Sequence, residues 1–168
     1  MKIFGIDPGT VVMGYGVVES DNDELSLVDF GAITVPEKLL IGERLRRIYN
    51  ELLEVLQRHL PDAVAVEQPF VAKNVRTALA IGRAQAIALL AAANKNIPCF
   101  EYTPAQIKQR VANYGASSKE QIQEMVRLQL GLEEVPQPND AADALAVAIC
   151  HAQEMHINSL LTRQGERQ

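Results

Sequence analysis

The chain reads as a mixed α/β protein: a five-stranded sheet, three strands antiparallel and two parallel, flanked by helices on both faces. Three observations predict it. The chain opens with three β-like runs joined by short turns, at 2–7, Gly14 to Glu19 and Leu25 to Val35, the pattern of an antiparallel meander. Two further short runs, Ala63 to Val66 and Pro98 to Tyr102, are each preceded by a long helical pattern. Strand–helix–strand crossovers are right-handed and lay such strands parallel.

In the first run, Ile3, Phe4 and Ile6 are bulky and apolar, as suits a strand buried in a sheet. Asp7 stands where the run stops, and Pro8-Gly9 turns the chain. Asp21, Asn22 and Asp23 form the turn before the third strand. From Ile41 to Leu60, apolar residues recur at three- and four-residue steps (Leu45, Ile48, Leu52, Val55, Leu56), and Pro61 ends the helix. Glu67 closes the fourth strand.

Asn74 to Asn96 is expected as a long helix whose Ala84–Ala93 segment is apolar on nearly every side. Such a helix is buried on more than one side, by the core and by a second subunit. Thr103-Pro104 starts a helix through about Ala112, with Thr as N-cap and Pro first in the helix. Ser117 or Ser118 caps another, from Lys119 to about Leu130, and Asn139 to about Met155 forms the last. One domain, 1–156, is expected, with 157–168 a frayed, flexible tail.

At 168 residues, 48% hydrophobic and 22% charged, the composition is that of a soluble globular domain. No apolar run approaches bilayer length, and the first strand lacks the flanks of a signal peptide. A cytoplasmic protein with no membrane partner is expected. Cys99 and Cys150 match no metal or redox spacing, which fits a reducing compartment. Net charge is −5, but from Gln68 to Leu132 eight basic residues face three acids. That window is +5, leaving −10 for the rest, and a positive face on an acidic protein is an electrostatic footprint for nucleic acid.

Asp7 at the carboxyl end of a central strand stands where open α/β sheets bind ligands. By itself an Asp before Pro-Gly is an ordinary turn former. Asp140 and Asp143, three apart on a helix, share one face near its N-terminus, where the helix dipole favours anions. Read blandly, they are a cap and a first-turn acid. Together Asp7, Glu67, Asp140 and Asp143 can converge from three elements. Clustered carboxylates need a counter-charge, and all-oxygen ligands select hard cations such as Mg²⁺ or Mn²⁺. Two such ions, about 3.5–4 Å apart, can activate water and stabilise the leaving oxygen of a phosphodiester. A glycosidase carboxylate pair is the other reading, but no Trp, four Tyr and four Phe offer few platforms for sugar.

The motifs GIDPGT, GYG, VEQPFVAKN, GRAQAIAL, YTPAQIKQ, YGASSKEQIQEMV and DAADALAVAICH, in this order from Met1 to about Ala152, resemble the RuvC family of Holliday-junction resolvases, within the ribonuclease H-like superfamily. The resemblance implies a homologous-recombination and repair endonuclease whose Asp7, Glu67, Asp140 and Asp143 hold two Mg²⁺ ions, with Mn²⁺ able to substitute. It also implies a homodimer on four-way junction DNA, served by the branch-migration proteins RuvA and RuvB. Phe70 is then expected to stack on unpaired bases, and Lys73, Arg76, Lys108 and Lys119 to hold the DNA backbone. Read alone, Phe70 folds into the core and the basic residues are solvated. Two positions depart from the family pattern. Asn113-Tyr114-Gly115 stands where members often have Gly-x-Gly, and both last acids are Asp where some members have His. His59, His151 and His156 form no ligand pattern.

Two other classes compete. An actin-like ATPase would share the Asp7–Thr10 loop but needs two domains to enclose nucleotide. A non-catalytic DNA-binding module would gain nothing from four acids beside phosphate.

Overall fold

In this computed structural model the described residues are 1–21, 24–68, 75–113, 115 and 117–165, with 163–165 described in backbone only. Five strands, β1 (Lys2–Asp7), β2 (Val12–Asp21), β3 (Glu24–Thr34), β4 (Ala63–Glu67) and β5 (Cys99–Tyr102), form one sheet in the order β3-β2-β1-β4-β5. The first three pair antiparallel, while β4 lies parallel to β1 and β5 parallel to β4. The mixed five-stranded sheet expected from the sequence is present.

Five helices cover it: α1 (Ile41–His59), α2 (Val75–Asn94), α3 (Pro104–Ala112), α4 (Lys119–Gln129) and α5 (Asn139–Gly165). Strand alternation divides the core in two. Phe4, Ile6, Val64 and Val66 point to α1 and α2, packing with Ile48, Leu52, Ala84 and Ala88. Ile3, Val18 and Ala65 point the other way, to Leu145, Ile149, Ile107 and Val126 of α5, α3 and α4. The successive buried residues of α1 (Ile48, Leu52, Val55, Leu56) are the three-four repeat read in the sequence.

Two boundaries differ clearly from expectation. β2 is longer than Gly14–Glu19, because its ladder with β3 continues from Val12↔Thr34 to Asp21↔Glu24. α5 does not end near Met155 but continues to Gly165, so 157–165 is helical where a frayed tail was expected. No Gly or Pro interrupts the chain between Asn139 and Gly165, and a helix once nucleated propagates at little cost. The expected first residue of α2, Asn74, lies outside the described residues.

α2 also corrects the expectation that no segment has bilayer length. By length and composition it could cross a membrane, with 20 residues and a mean hydropathy of 1.3. Eight of its twenty residues are alanine, Arg76 and Arg83 interrupt it, and Ala78, Ala84, Ala88, Ala91 and Ala92 are buried against the body. Leu79 and Leu90 are at least half exposed, so the outer face of the helix is left apolar.

Candidate active site

The sheet brings the first two acids together through register alone. Ile6 lies opposite Val66 on the parallel strands β1 and β4, so Asp7 and Glu67, the next residue of each, stand side by side at one sheet edge. Alternation decides their face: Ile3 and Ala65 belong to the cluster under α5, and Asp7 and Glu67 share their parity. Both carboxylates therefore project beneath α5.

α5 supplies the next pair and lies very close to the sheet. A Cβ on Gly5 would run into Ala144 O, and one on Gly14 into Asp140 O. Only residues without a side chain allow the helix backbone this near β1 and β2. That closeness seats the first turn of α5 directly over the end of β1.

Two capped helices complete the surround. Thr103 caps α3 in a capping box with Gln106, and Ser118, not Ser117, caps α4 in a capping box with Gln121. Each such cap is worth about 1 kcal/mol and fixes the start of its helix. Lys108 thus projects from α3 and Lys119 from the first position of α4. Asp7, Glu67, Asp143, Lys108 and Lys119 line one cleft of about 340 Å³, walled by Pro104, Ile107, Ile122 and Ala146.

The electrostatics of this cleft are strained. Burial, then repulsion from Glu67, Asp143 and Asp140, push the Asp7 carboxyl up to about 8, against a partial opposing pull from Lys119. Burial and then Asp143 push Glu67 up to about 7, opposed by Lys119 and Lys108. Near neutral pH these acids cannot all ionise side by side. Lys119 makes an ion pair of 2.5 Å with Asp143 Oδ2, and the Gln123 amide donates to Asp143 Oδ1 at 3.3 Å. Although partial burial works against its charge, the hydrogen bond and attraction of Asp143, aided by Asp7 and Asp140, hold the Lys119 ammonium above its ordinary value.

The acids are not equivalent. Asp140 is absent from the cleft lining, although its charge is felt by Asp7 and Lys119. Among the described residues, no group of three or more His, Cys, Asp or Glu is placed to hold a metal ion as the side chains stand. Asp143 is engaged by Lys119 and Gln123. The donor set itself suits a hard divalent cation: carboxylate oxygens, crowded enough to keep protons that a cation would displace.

The other expected contacts fall in several places. Arg76 is exposed on the first turn of α2, while Phe70 and Lys73 lie outside the described residues. Asn113 has φ 56° and ψ 14°, the left-handed C-cap of α3. Asn tolerates that conformation better than most residues, as Gly does, which suits it to this cap. His151, given no role from sequence, is buried; its Nδ1 shares a 2.7 Å hydrogen bond with the Tyr102 hydroxyl. Gln123 was also missed. Its only sequence signal is an amide on the apolar side of α4, beside Ile122 and Val126.

Residues 3–151 match the family model described as crossover junction endodeoxyribonuclease RuvC. The chain belongs to the RuvC family. It is 59% identical over 166 residues to the crossover junction endodeoxyribonuclease RuvC of Dehalococcoides mccartyi, covering 99% of each chain. The RuvC of Chloroflexus aggregans is 56% identical over 152 residues, 90% of this chain and 93% of that one. Among solved structures, T. thermophilus RuvC in complex with a Holliday junction substrate superposes with a TM-score of 0.88 at 38% identity, covering 94% of this RuvC-family chain and 96% of the other. The ribonuclease H-like fold and the family expected from the motifs are both borne out.

Proposed function

We propose that this RuvC-family chain resolves Holliday junctions in homologous recombination and DNA repair, by paired divalent-metal-dependent nicks that leave 5′-phosphate and 3′-hydroxyl ends. The observation that carries the reading is the convergence of Asp7, Glu67 and Asp143 with two lysines in one cleft. It occurs in a chain near-identical in length to relatives named for this activity.

In this reading Asp7, Glu67 and Asp143, with Asp140 beside them, hold Mg²⁺, two ions per site, with Mn²⁺ able to substitute. A bound divalent cation supplies positive charge that lowers the pKa of water and stabilises the leaving oxygen. The chain's own groups do the rest. Asp7 and Glu67, fixed on adjacent strands, would hold the cation at the sheet edge. Asp143 gives up its ion pair with Lys119, whose ammonium is then free to pair with phosphate oxygen. Lys108, from α3, contacts the same backbone, and Arg76, on the first turn of α2, engages DNA further out; Lys73 and Phe70 are proposed as DNA contacts from the family resemblance alone. Ile107 and Ile122, both buried, wall the cleft with apolar surface, which strengthens every charge interaction inside.

Residues 1–156 act as one nuclease domain, and two copies form a homodimer that offers one site to each opposed strand. The exposed Val75, Leu79 and Leu90 on α2 support a partner on that face, since apolar surface of this kind marks interaction sites. RuvA and RuvB, the branch-migration proteins, deliver the junction, and the protein works in the cytoplasm. The test is nicking of a synthetic four-way junction in Mg²⁺, compared with linear duplex and with EDTA. Paired nicks specific to the junction and lost in EDTA support the reading; equal cutting of duplex, or cutting in EDTA, contradicts it.

A further inference from the structure

α4 carries two side chains to one carboxylate. Lys119 and Gln123 are four residues apart, hence on one face of the helix, and they take different oxygens of Asp143: Lys119 Nζ lies on Oδ2 and Gln123 Nε2 on Oδ1. Their environments differ. The Lys119 side chain is 55% exposed, whereas Gln123 is 8% exposed and lies beside the buried Ile122 and Val126.

A buried amide at such a position calls for a reason. The packing of α4 on α5 would be met by a Leu or Met at 123, with no polar group to desolvate. An amide left unpaired in the core costs about 1–3 kcal/mol; here its donor reaches the carboxylate at the lip of the cleft. At 3.3 Å the bond is slightly longer than usual, so its contribution is direction more than energy. Asp143, whose side chain is 19% exposed, is otherwise free to turn about its side-chain torsions.

We propose that Gln123 is a positioning residue for the nuclease site: it fixes Asp143 through Oδ1 so that Oδ2 can exchange the Lys119 ammonium for a divalent cation. The proposal rests on the reading of Asp143 as a metal ligand. Lys119 is the exchangeable partner, on an exposed stem, and Gln123 is the permanent one, held by the core. Partners that orient metal-ligating carboxylates typically alter metal affinity about 10–100-fold when removed.

The test uses Gln123→Met, which keeps length and volume and loses the donor, in the full chain. Mn²⁺ binding to the protein alone is followed by electron paramagnetic resonance. Mg²⁺ dependence of junction nicking, junction binding in EDTA and the melting temperature are measured beside it. The expected result is Mn²⁺ binding and half-saturating Mg²⁺ each weakened about tenfold, with nicking at saturating Mg²⁺ near the wild-type rate. Junction binding in EDTA should change less than about twofold. A folded Gln123→Met with wild-type Mn²⁺ affinity overturns the proposal. So does a rate loss that saturating Mg²⁺ does not recover, since that marks general damage to the site. If Gln123→Met fails to fold, Gln123→Asn, which keeps an amide too short to reach Oδ1, takes its place with the same expected and contrary results. Asp143→Asn separates the two levels. If it too leaves Mn²⁺ affinity unchanged, the reading of Asp143 as a ligand fails; if it abolishes binding while Gln123→Met does not, only the role of Gln123 fails.

Discussion

Among the described residues, two hollows lie at opposite ends of the sheet, and the larger of the two is the quieter. The groove of about 620 Å³ between the far ends of β2 and β3 and the helices α3, α4 and α5 is lined by Arg110, Gln129, Gln153 and His156 among apolar residues. Three of its polar side chains, Arg110, Gln129 and Gln153, are paired. Arg110 pairs with Glu154 at 2.7 Å, Gln153 donates to Gln129 at 2.9 Å, and Gln129 donates to Val111 O at 2.7 Å. The smaller cleft, about 340 Å³, holds Glu67 pushed up to about 7 and Asp7 pushed up to about 8, by burial and then by neighbouring acids. Size does not distinguish a site here. Unrelieved charge does, because a fold keeps mutually repelling buried carboxylates only where something compensates for them.

The largest effect expected from this contrast is on rate. Asp7→Asn should slow junction nicking at least about a thousandfold while leaving junction binding largely intact. Arg110→Ala, in the quiet groove, should leave the rate within about twofold. Single-turnover nicking and gel-shift measurements on both variants check it; equal losses would erase the distinction between the hollows.

The same contrast has a thermodynamic side. Asp7 ordinarily titrates at 3.8 and is raised to about 8 in the fold. A raised folded value means stability is fully present below the unfolded value and lost as pH climbs towards the folded one, at no more than about 1.4 kcal/mol per pH unit. Metal-free Asp7→Asn should therefore be more stable than wild type, by a margin that widens from pH 4 to pH 8 and shrinks when Mg²⁺ is added. Melting temperatures across that range measure it. A margin independent of pH would contradict it.

Gly5→Ala probes how the cleft is assembled. Its Cβ would collide with Ala144 O and force α5 off β1, a strain of about 1–3 kcal/mol. Chemical denaturation should show that loss, together with weaker Mg²⁺ dependence, because Asp143 moves with the helix. Wild-type stability would show that α5 is not seated as described.

Tyr102→Phe should have the smallest effect. It removes a buried hydrogen bond to His151, costing about 1 kcal/mol, with little change in nicking rate. Burial holds His151 below its ordinary 6.5. A lowered folded value means this contribution is present above pH 6.5 and is lost as pH falls below it, so denaturation midpoints of wild type should drop on the acid side. A large rate loss in Tyr102→Phe would instead tie this pair to the cleft.

Much of this site is legible in the sequence because strand ends are. A run such as Ile3–Ile6 that stops at an acid followed by Pro-Gly fixes where the carboxylate stands, and the Thr103 and Ser118 caps mark their helix starts within a residue. What escapes is how elements lie against each other. Spacing of three puts Asp140 and Asp143 on one helix face, yet the angle at which α5 crosses the end of β1 brings only Asp143 into the cleft lining. Gln123 is a polar letter in an apolar face, and its target lies twenty residues away on another helix. The continuation of α5 was hidden for a different reason: residues 156–164 have no strong periodicity to announce a helix and no Gly or Pro to end one.

The most direct measurement is a carbon-13 titration of the Asp7 and Glu67 side-chain carboxyls by nuclear magnetic resonance, first without metal and then in Mg²⁺. Crowded acids awaiting a cation should titrate near 8 and near 7 in its absence. Both should fall by roughly two units or more when Mg²⁺ binds. Two carboxyls titrating near 4 whether or not Mg²⁺ is present would contradict the account at its base.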